Sequence, residues 1–248
     1  MKLSVIIPMY NESAIVTDTA GTLCQYLEGW GEKTGNTYEV LFSNDGSHDD
    51  CGDKVRAFAA EAVLGHGAVQ VVEADKNYGK GHAVGLAMAA ATGDFVLYTD
   101  CDLAYGVEVI GEAAARWEKS GCDVLIGSRN LSADGYAGYT PLRKLASKVY
   151  IKVLCIAAGF RLSDSQCGFK GFARSMGQAV FAENQTWGWA FDIEILLRAL
   201  QKGAVVEEMA VKIINHRESK IHLVRDSLRM LRDIMKIRKR VAKRVARK

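Results

Sequence analysis

The sequence predicts an α/β protein built on a doubly wound, largely parallel sheet. Short apolar segments rich in β-branched and aromatic residues alternate with helical patterns, and a polar loop follows most of these segments. The chain has 248 residues, of which 49% are apolar and 25% charged, as in ordinary globular proteins. We expect one domain over residues 1–220 and a basic helical tail over residues 221–248.

The predicted strands are the apolar segments that end in polar loops. They comprise residues 3–8, 38–43, 69–73, 95–99, 123–129 and 205–211. Helical patterns are expected at about residues 11–26, 47–62, 81–91, 107–119 and 141–158, and another helix begins near residues 187–194. No fixed repeat and no low-complexity linker interrupts this alternation.

Asp100 and Asp102 follow the fourth predicted strand, which is apolar throughout. In an extended backbone, residues two apart point the same way, and open α/β sheets bind ligands at the carboxyl ends of their strands. Two such carboxylates repel each other unless a cation lies between them, and their oxygens suit Mg²⁺ or Mn²⁺. Since these ions usually bind substrate phosphates as well, the pair predicts a nucleoside diphosphate ligand. Two solvated turn residues are the alternative.

The six cysteines have no CxxC spacing, which indicates reduced, structural thiols in a cytoplasmic protein. The N-terminal residues enter a strand pattern at once and do not resemble a signal peptide. No segment approaches the roughly 18–20 uninterrupted apolar residues that a spanning helix needs.

The tail is strongly basic, with Lys or Arg at eight of the last thirteen positions. Its apolar residues have helical spacing and predict one apolar helix face, made of Val224, Leu228, Leu231, Met235, Val241 and Val245. A basic amphipathic helix of this kind is typical of a peripheral anchor on an anionic membrane. Nucleic acid attracts such a helix too, and a solvated tail is the third possibility; we expect the membrane and no nucleic acid.

Several segments resemble those of known enzymes. Residues 5–12, 44–47, 77–81 and 100–103 are similar, in that order, to motifs of inverting nucleotide-sugar glycosyltransferases with the GT-A fold. Residues 127–129, 164–170 and 189–194 resemble those of polyprenyl-phosphate sugar synthases, most closely the dolichyl-phosphate β-glucosyltransferases. The resemblance covers about residues 3–220 and implies a Rossmann-like, mostly parallel sheet flanked by helices.

The resemblance assigns roles to residues on the donor side. Pro8, Tyr10 and Glu12 would border the nucleoside, and Asp45 would accept a hydrogen bond from a uracil N–H or a ribose hydroxyl. Asp45 followed by Gly46 is also simply a good turn.

Three further donor-side assignments concern the diphosphate and the sugar. Lys80, between two glycines, would approach a phosphate, while Asp100 and Asp102 would hold the sugar nucleotide directly and through Mg²⁺ or Mn²⁺. Trp189 would stand against the sugar, although packing in the core is the commoner position for an aromatic residue.

On the acceptor side, Arg129, Arg143 and Ser147 correspond to positions that bind the acceptor phosphate, and surface ion pairs are the alternative for each arginine. Asp192 would be a general base, hold sugar hydroxyls or cap the helix that follows it. The chain departs from the mannose synthases at Ala104, where these often have Gln, and Asn44 replaces a frequent acid.

The function that follows is transfer of glucose from UDP-glucose to a polyprenyl or dolichyl monophosphate at the cytoplasmic membrane face. Transfer of mannose from GDP-mannose is one alternative, and a non-enzymatic lipid- or nucleic-acid-binding protein is another. The glycine-rich segment 79–85 resembles a dinucleotide-binding loop, but it opens the third strand–helix unit, which disfavours a nicotinamide oxidoreductase. Oligomeric state is not predicted.

Overall fold

The fold is a single seven-stranded sheet with helices on both faces. The computed structural model describes residues 1–159, 161–215 and 223–245, and within the last range it describes the side chains of residues 230–242. The strands are β1 (Lys2–Met9), β2 (Thr37–Asn44), β3 (Gly67–Glu73), β4 (Phe95–Tyr98), β5 (Val124–Ser128), β6 (Lys170–Ala173) and β7 (Val206–Ala210). The helices are α1 (Val16–Thr34), α2 (Cys51–Glu61), α3 (Lys80–Ala90), α4 (Glu108–Ser120), α5 (Pro141–Ala158), α6 (Arg174–Ala182), α7 (Phe191–Gln201) and α8 (Leu223–Val245).

The sheet order is β3-β2-β1-β4-β6-β5-β7, and β6 alone runs antiparallel to its two neighbours. The expected α/β class and mostly parallel sheet are therefore confirmed. β6 is not among the predicted strands, because its four residues contain a lysine and a glycine and do not form an apolar segment.

Alternating side chains of β1 separate the two cores. Leu3, Val5 and Ile7 pack with α1, α2 and α4 on one face of the sheet. Ile6 packs with α3, α5, α6, α7 and α8 on the other. This period-two pattern is what a strand covered on both faces requires. The six cysteines are free and buried.

β1 pairs in parallel with both β2 and β4, so the carboxyl ends of these three strands lie at one edge of the sheet. Met9 is opposite Asn44, and Ile6 is opposite Tyr98. The loops that carry Tyr10, Asp45 and Asp100 therefore begin side by side. This edge is where an open α/β sheet binds its ligand.

The predicted helical tail is α8, and its buried face matches the predicted one only in part, since Val241 is buried and Leu231 is partly buried but Met235 is not. Met230, Ile234, Ile237 and Val241 are buried in the same core as α5 and α7, whereas Met235 is 62% exposed. Spacings of four, three and four residues define the buried face, and Met235 lies roughly 100–160° around the helix from its members. The prediction is wrong at Met235 because this helix has apolar residues on more than one side and only one side packs on the core.

Other parts of the tail prediction lie outside the described residues. They are the boundary at residue 220 and the side chains of Val224, Leu228 and Val245. Within the described part of the chain, every helix is too short or too polar to cross a bilayer.

Candidate active site

Hydrogen bonds join the loops after β1 and β2. The Asn11 backbone N–H donates to Ser47 Oγ at 3.0 Å, and Asn11 Oδ1 accepts from the His48 N–H at 2.9 Å. Asn11 has a φ of +54°, a left-handed conformation that Asn tolerates better than most residues. Tyr10 is consequently held at the edge with 40% of its surface exposed, and its ring lies 6.4 Å from that of His48.

Pro8 and Glu12 flank Tyr10 in the same segment. Pro8 is partly buried in β1, and the Glu12 carbonyl accepts the first backbone hydrogen bonds of α1, from Ile15 and Val16 at 3.0 Å. These residues lie at the carboxyl edge of the sheet, where a nucleoside would bind. Their contact with a nucleoside remains a prediction.

Asp45 anchors the loop that precedes α3. It is almost fully buried, and its two carboxylate oxygens accept the backbone N–H groups of Tyr78 at 3.1 Å and Gly79 at 2.7 Å. Two backbone bonds of this kind fix the loop in one position. The uracil or ribose contact expected of Asp45 remains a prediction beside this structural role.

Lys80 begins α3, and its ammonium donates a hydrogen bond to Asp100 Oδ1. Burial lowers the pKa of Lys80, but attraction to Asp100, Asp192 and Asp102 outweighs it and raises the pKa overall. The charge of Lys80 therefore interacts with three carboxylates, each of which the sequence predicts as a site residue. Lys80 contacts Asp100, and Asp102 and Asp192 act on its charge; these three carboxylates are here called the acidic cluster.

The glycines around Lys80 allow a close approach of protein backbone. Gly79 has a φ of +111°, and a Cβ there would lie 2.7 Å from the Trp187 carbonyl oxygen. The Gly81 N–H donates to the same oxygen at 2.8 Å. The two glycines thus seat the loop against the segment before α7. A phosphate contact by their backbone remains a prediction.

The two aspartates occupy a turn and not the end of a strand. β4 stops at Tyr98, and the Leu103 N–H donates to the Asp100 carbonyl at 3.0 Å. Leu103 has a φ of +47°, which costs roughly 1–2 kcal/mol for a residue with a Cβ. The expectation that an extended backbone aligns the two carboxylates is therefore wrong. A tight turn positions them instead, and Asp102 Oδ1 accepts from the Ala104 N–H at 3.1 Å.

The segment 164–170 passes directly over Asp100. A Cβ built on Gly168 would overlap Asp100 Oδ2, so any side chain there would displace this carboxylate. The Gly168 N–H donates to the hydroxyl of Tyr105 at 3.2 Å. These contacts explain why a motif far along the chain contributes to the site of the aspartate pair.

Asp192 lies inside the first turn of α7, where its carboxylate is paired with a buried lysine. Asp192 Oδ1 accepts from Lys170 Nζ at 2.7 Å and from the Tyr98 hydroxyl. Lys170 is fully buried and also donates to the Cys167 carbonyl at 2.5 Å. The N-cap residue of α7 is Ala190, so the expectation that Asp192 caps this helix is wrong.

Arg129 follows β5 and forms a two-pronged ion pair with Asp164. Nε and Nη2 donate to the two Asp164 oxygens at 2.7 and 3.0 Å, and Asp164 is fully buried. Burial lowers the pKa of Arg129, but attraction to Asp164 outweighs it, so the pKa is raised well above its usual value. The alternative of an ion pair therefore describes Arg129 in this structure, although the pair is buried and not at the surface.

An aromatic pair connects Arg129 with Arg143. The Arg129 guanidinium lies 5.5 Å from the Tyr136 ring, and the exposed Arg143 guanidinium lies 4.1 Å from the Tyr139 ring. The two rings are 5.6 Å apart. The loop before α5 therefore brings the two predicted phosphate-binding arginines to one surface. Ser147 is partly buried one helical turn after Arg143.

The segment 164–170 joins the arginine surface to the acidic cluster. Asp164 pairs with Arg129, and Gly168 lies against Asp100 and donates its N–H to the Tyr105 hydroxyl. Burial raises the pKa of Tyr105 well above its usual value, with Asp100 acting in the same direction and Arg129 in the opposite one. Both charges therefore act on the same phenol.

The sequence as a whole resembles known proteins. A family model described as glycosyl transferase family 2 matches residues 4–181. The chain belongs to glycosyl transferase family 2. It is 32% identical to a dolichyl-phosphate β-glucosyltransferase of Drosophila melanogaster, over 96% of this chain and 74% of that protein. The yeast Saccharomyces cerevisiae protein of the same name is 29% identical, over 95% of this chain and 74% of its own length.

Glycosyltransferase AglD of Haloferax volcanii is 30% identical over 99% of this family 2 chain, which spans only 39% of AglD. Among solved structures, glucosyl-3-phosphoglycerate synthase of Mycobacterium tuberculosis matches with a TM-score of 0.66 and 16% identity. That match covers 95% of this chain and 76% of the synthase. It shows a shared GT-A fold.

The donor atoms at the edge of this family 2 domain suit a hard divalent ion. Asp100 and Asp102 offer carboxylate oxygens, and such an ion commonly takes one or two carboxylates and completes its shell with phosphate and water. Within the described residues, no group of three or more His, Cys, Asp or Glu side chains is arranged to hold a metal alone. The two carboxylates fit an ion that binds together with its substrate phosphates.

Sequence reasoning missed Lys170, Tyr98 and Asp164 as members of the site. Asp164 and Lys170 lie within a segment that carries the family resemblance, but a single sequence does not show that both are buried. Trp189 is 66% exposed near this site, as an aromatic wall for a sugar requires, and its contact with the sugar remains a prediction. Phe191, by contrast, is fully buried in the core.

Proposed function

We propose that this glycosyltransferase moves a hexose, with glucose favoured, from a UDP-sugar to a polyprenyl or dolichyl monophosphate, with inversion at the anomeric carbon. The observation that carries the proposal is the segment 164–170, in which Asp164 pairs with Arg129 and Gly168 lies against Asp100. The names of the fruit fly and yeast relatives, dolichyl-phosphate β-glucosyltransferase, support the same sugar and acceptor.

On the donor side, the chain supplies groups for a diphosphate and a nucleoside. Lys80 would bind the diphosphate, and Pro8, Tyr10 and Glu12 would border the nucleoside at the neighbouring loop. Mg²⁺ or Mn²⁺ held by Asp100 and Asp102 would neutralise charge on the departing diphosphate. Trp189, exposed two residues after the Trp187 carbonyl that contacts the Lys80 loop, would lie against the hexose.

On the acceptor side, a lipid phosphate is already anionic at neutral pH and needs positioning more than deprotonation. Arg143 would provide the guanidinium fork and Ser147 a hydroxyl. Arg129, whose Nε and Nη2 are bonded to Asp164, would donate from its remaining guanidinium N–H groups. A phosphate oxygen then attacks the anomeric carbon. The carbon–oxygen bond to the diphosphate breaks, and its electron pair leaves with UDP.

Asp192 would be a fixed anion beside the sugar and not a base. Its Oδ1 already accepts hydrogen bonds from Lys170 and Tyr98, and the attacking phosphate has no proton that must be removed. The same carboxylate can hold a sugar hydroxyl. This proposal resolves the three roles that the sequence leaves open for Asp192.

A lipid acceptor implies that the protein works at a membrane, and we infer a peripheral position on the cytoplasmic face. Exposed cations of α8, such as Lys236 and Lys239, would add attraction to anionic lipid. The apolar face of the described part of α8 is occupied by the core, so this helix would contribute charge and not insertion.

The test is a matrix of donors and acceptors. The full chain is incubated with UDP-glucose, UDP-N-acetylglucosamine or GDP-mannose, with Mg²⁺, Mn²⁺ or EDTA, and with a short polyprenyl phosphate or the matching alcohol. We expect a charged glycolipid from UDP-glucose and the phosphate only, and its loss with EDTA. If only GDP-mannose supports turnover, the donor is GDP-mannose and not a UDP-sugar. Transfer to the alcohol but not to the phosphate would refute the acceptor.

A further inference from the structure

Helix α5 carries a stripe of exposed aliphatic side chains, here called the α5 stripe. Its members are between 42% and 78% exposed and comprise Leu142, Leu145, Val149, Val153 and Ile156. At 3.6 residues per turn, they occupy roughly 80° of the helix circumference and a length of about 21 Å. The stripe is therefore narrow, continuous and almost as long as the helix.

The orientation of α5 is fixed by its opposite face. Ile151, Leu154, Cys155 and Ala158 are buried in the core that contains α7 and α8. A surface helix usually turns polar residues outward once its apolar face is buried. α5 is apolar on both faces, and a contiguous apolar patch exposed on a folded domain usually marks an interaction surface.

The charge around the stripe selects the partner. α5 contains four cations, Arg143, Lys144, Lys148 and Lys152, and not one acidic residue. The adjacent helix α8 is also basic, and its Arg238 Nη1 donates to the Ala157 carbonyl of α5 at 2.9 Å. An anionic lipid surface complements an apolar stripe with basic edges.

A second copy of the chain complements this surface less well. Paired helices with an apolar seam usually place opposite charges along its edges. Two α5 helices packed stripe to stripe would bring lysine and arginine next to lysine and arginine. Such a pair would gain apolar contact but would place like charges together, so the lipid surface is the better occupant.

A cavity of about 450 Å³ connects the stripe with the acceptor side. Ile156 of the stripe, Lys148, Lys152 and Leu162 line it, and it extends to Asn130, the residue after Arg129. If α5 lies on a bilayer, this recess would lie between the acyl chain of a bound lipid and the arginine surface. This continuity places the stripe on the side of the molecule from which a lipid phosphate would arrive.

We propose that α5 docks the protein on an anionic bilayer, with the α5 stripe among the acyl chains and its basic residues at the lipid phosphates. The inference deepens the proposed function and rests on it for the lipid acceptor. In this proposal the apolar membrane contact lies in the middle of the chain, and not in the tail, where the sequence predicts it.

The test compares two pairs of substitutions in the full chain. L145Q/V149Q removes one leucine and one valine from the stripe, and V63Q/L200Q removes one of each from exposed positions elsewhere. Binding is measured by co-sedimentation with vesicles of equal parts phosphatidylcholine and phosphatidylglycerol. We expect about tenfold weaker binding for the stripe pair, persisting at high salt, and unchanged binding for the other pair.

Two results would overturn the docking proposal. One is vesicle binding by L145Q/V149Q that equals that of the unsubstituted chain or of V63Q/L200Q. The other is a dimer in light scattering that L145Q/V149Q converts to monomer without a change in vesicle binding, since the stripe would then be a self-association surface. Transfer to a short polyprenyl phosphate in detergent separates the two proposals. If L145Q/V149Q loses vesicle binding, and neither the unsubstituted chain nor any variant transfers sugar, the docking proposal stands and the proposed function fails.

Discussion

The donor side and the acceptor side hold their charged groups in opposite ways. Asp45, Lys80 and Asp100 are fixed by backbone hydrogen bonds, by one another and by glycines that admit no side chain. Arg143 lies in solvent on a tyrosine ring, beside the exposed α5 stripe. The difference indicates that, under the proposed function, the sheet would hold a nucleotide site in place before the ligand binds. The acceptor site would instead lie on a surface helix that faces a ligand embedded in a membrane.

The strongest test of the donor side is Asp102→Asn. We expect metal-dependent transfer to fall on the order of 10²–10³-fold, because an amide no longer balances the charge of a divalent ion. The Ala104 N–H still finds an oxygen acceptor, so the thermal midpoint should not change. Initial rates over a range of Mn²⁺ concentration measure the effect.

Asp53→Asn is the matched control for this substitution, since its carboxylate is exposed in a surface pair with Arg56. It should transfer sugar at the normal rate. Full activity of Asp102→Asn at every Mn²⁺ concentration would remove the metal from the proposal and leave the donor side without its main feature.

The second prediction concerns the buried ion pair of Lys170 and Asp192. Asp192→Asn should lower the free energy of unfolding by about 3 kcal/mol, because the fully buried Lys170 loses its counter-charge. Urea denaturation measures the change. The double substitution K170M/D192N should recover most of the stability, since no uncompensated charge remains.

If the double substitution is no more stable than Asp192→Asn alone, the cost arises from the Tyr98 hydrogen bond or from packing and not from charge. The contrast matters for the comparison of the two sides. A carboxylate whose main role is to neutralise Lys170 belongs to the framework, and only its remaining oxygen is a candidate for binding the sugar.

Much of the donor side could be predicted from the sequence because its signals are local. Asp45, Lys80 and the aspartate pair each follow a strand, and parallel strands bring their carboxyl ends to one edge. The turn at Asp100 could not be predicted, because the extended pattern continues in the sequence after β4 has ended at Tyr98. Hydrophobic periodicity does not show at which residue the backbone leaves the sheet.

The acceptor side depends on contacts between distant residues, which one sequence does not reveal. Arg129 and Asp164 are far apart in the chain, and β6 becomes a strand only because β4 and β5 lie on either side of it. The same limit applies to the two basic helices. The basic composition of α8 predicts that it binds the membrane. In the structure, however, the apolar face of its described part is buried in the core, and the α5 stripe is exposed.

Arg143→Ala sharpens the comparison from the acceptor side. We expect the KM for polyprenyl phosphate to rise about tenfold, with little change in the KM for UDP-glucose, because the guanidinium fork serves only the acceptor. Arg143→Lys should recover part of this loss, since it keeps the charge but not the fork. The thermal midpoint should not change for an exposed side chain.

Arg116→Ala is the control, because Arg116 is also partly exposed and forms a surface ion pair with Glu207. It should change neither KM. A rise in the KM for UDP-glucose equal to that for the acceptor would show that Arg143 serves both substrates. The division between a donor side and an acceptor side would then fail at this residue.

The smallest expected effect distinguishes α8 from α5 on the membrane. Removing residues 236–248 is a poor test, because Ile237 and Val241 are buried and the deletion would also disturb the core. Lys236→Gln removes one exposed charge and leaves that packing intact. We expect binding to vesicles containing phosphatidylglycerol to weaken about threefold to fivefold at low salt, and the difference to vanish at high salt. Lys119→Gln, on the opposite face of the sheet, should have no effect. A loss that persisted at high salt would mean that α8, and not only α5, contributes apolar contact with the bilayer.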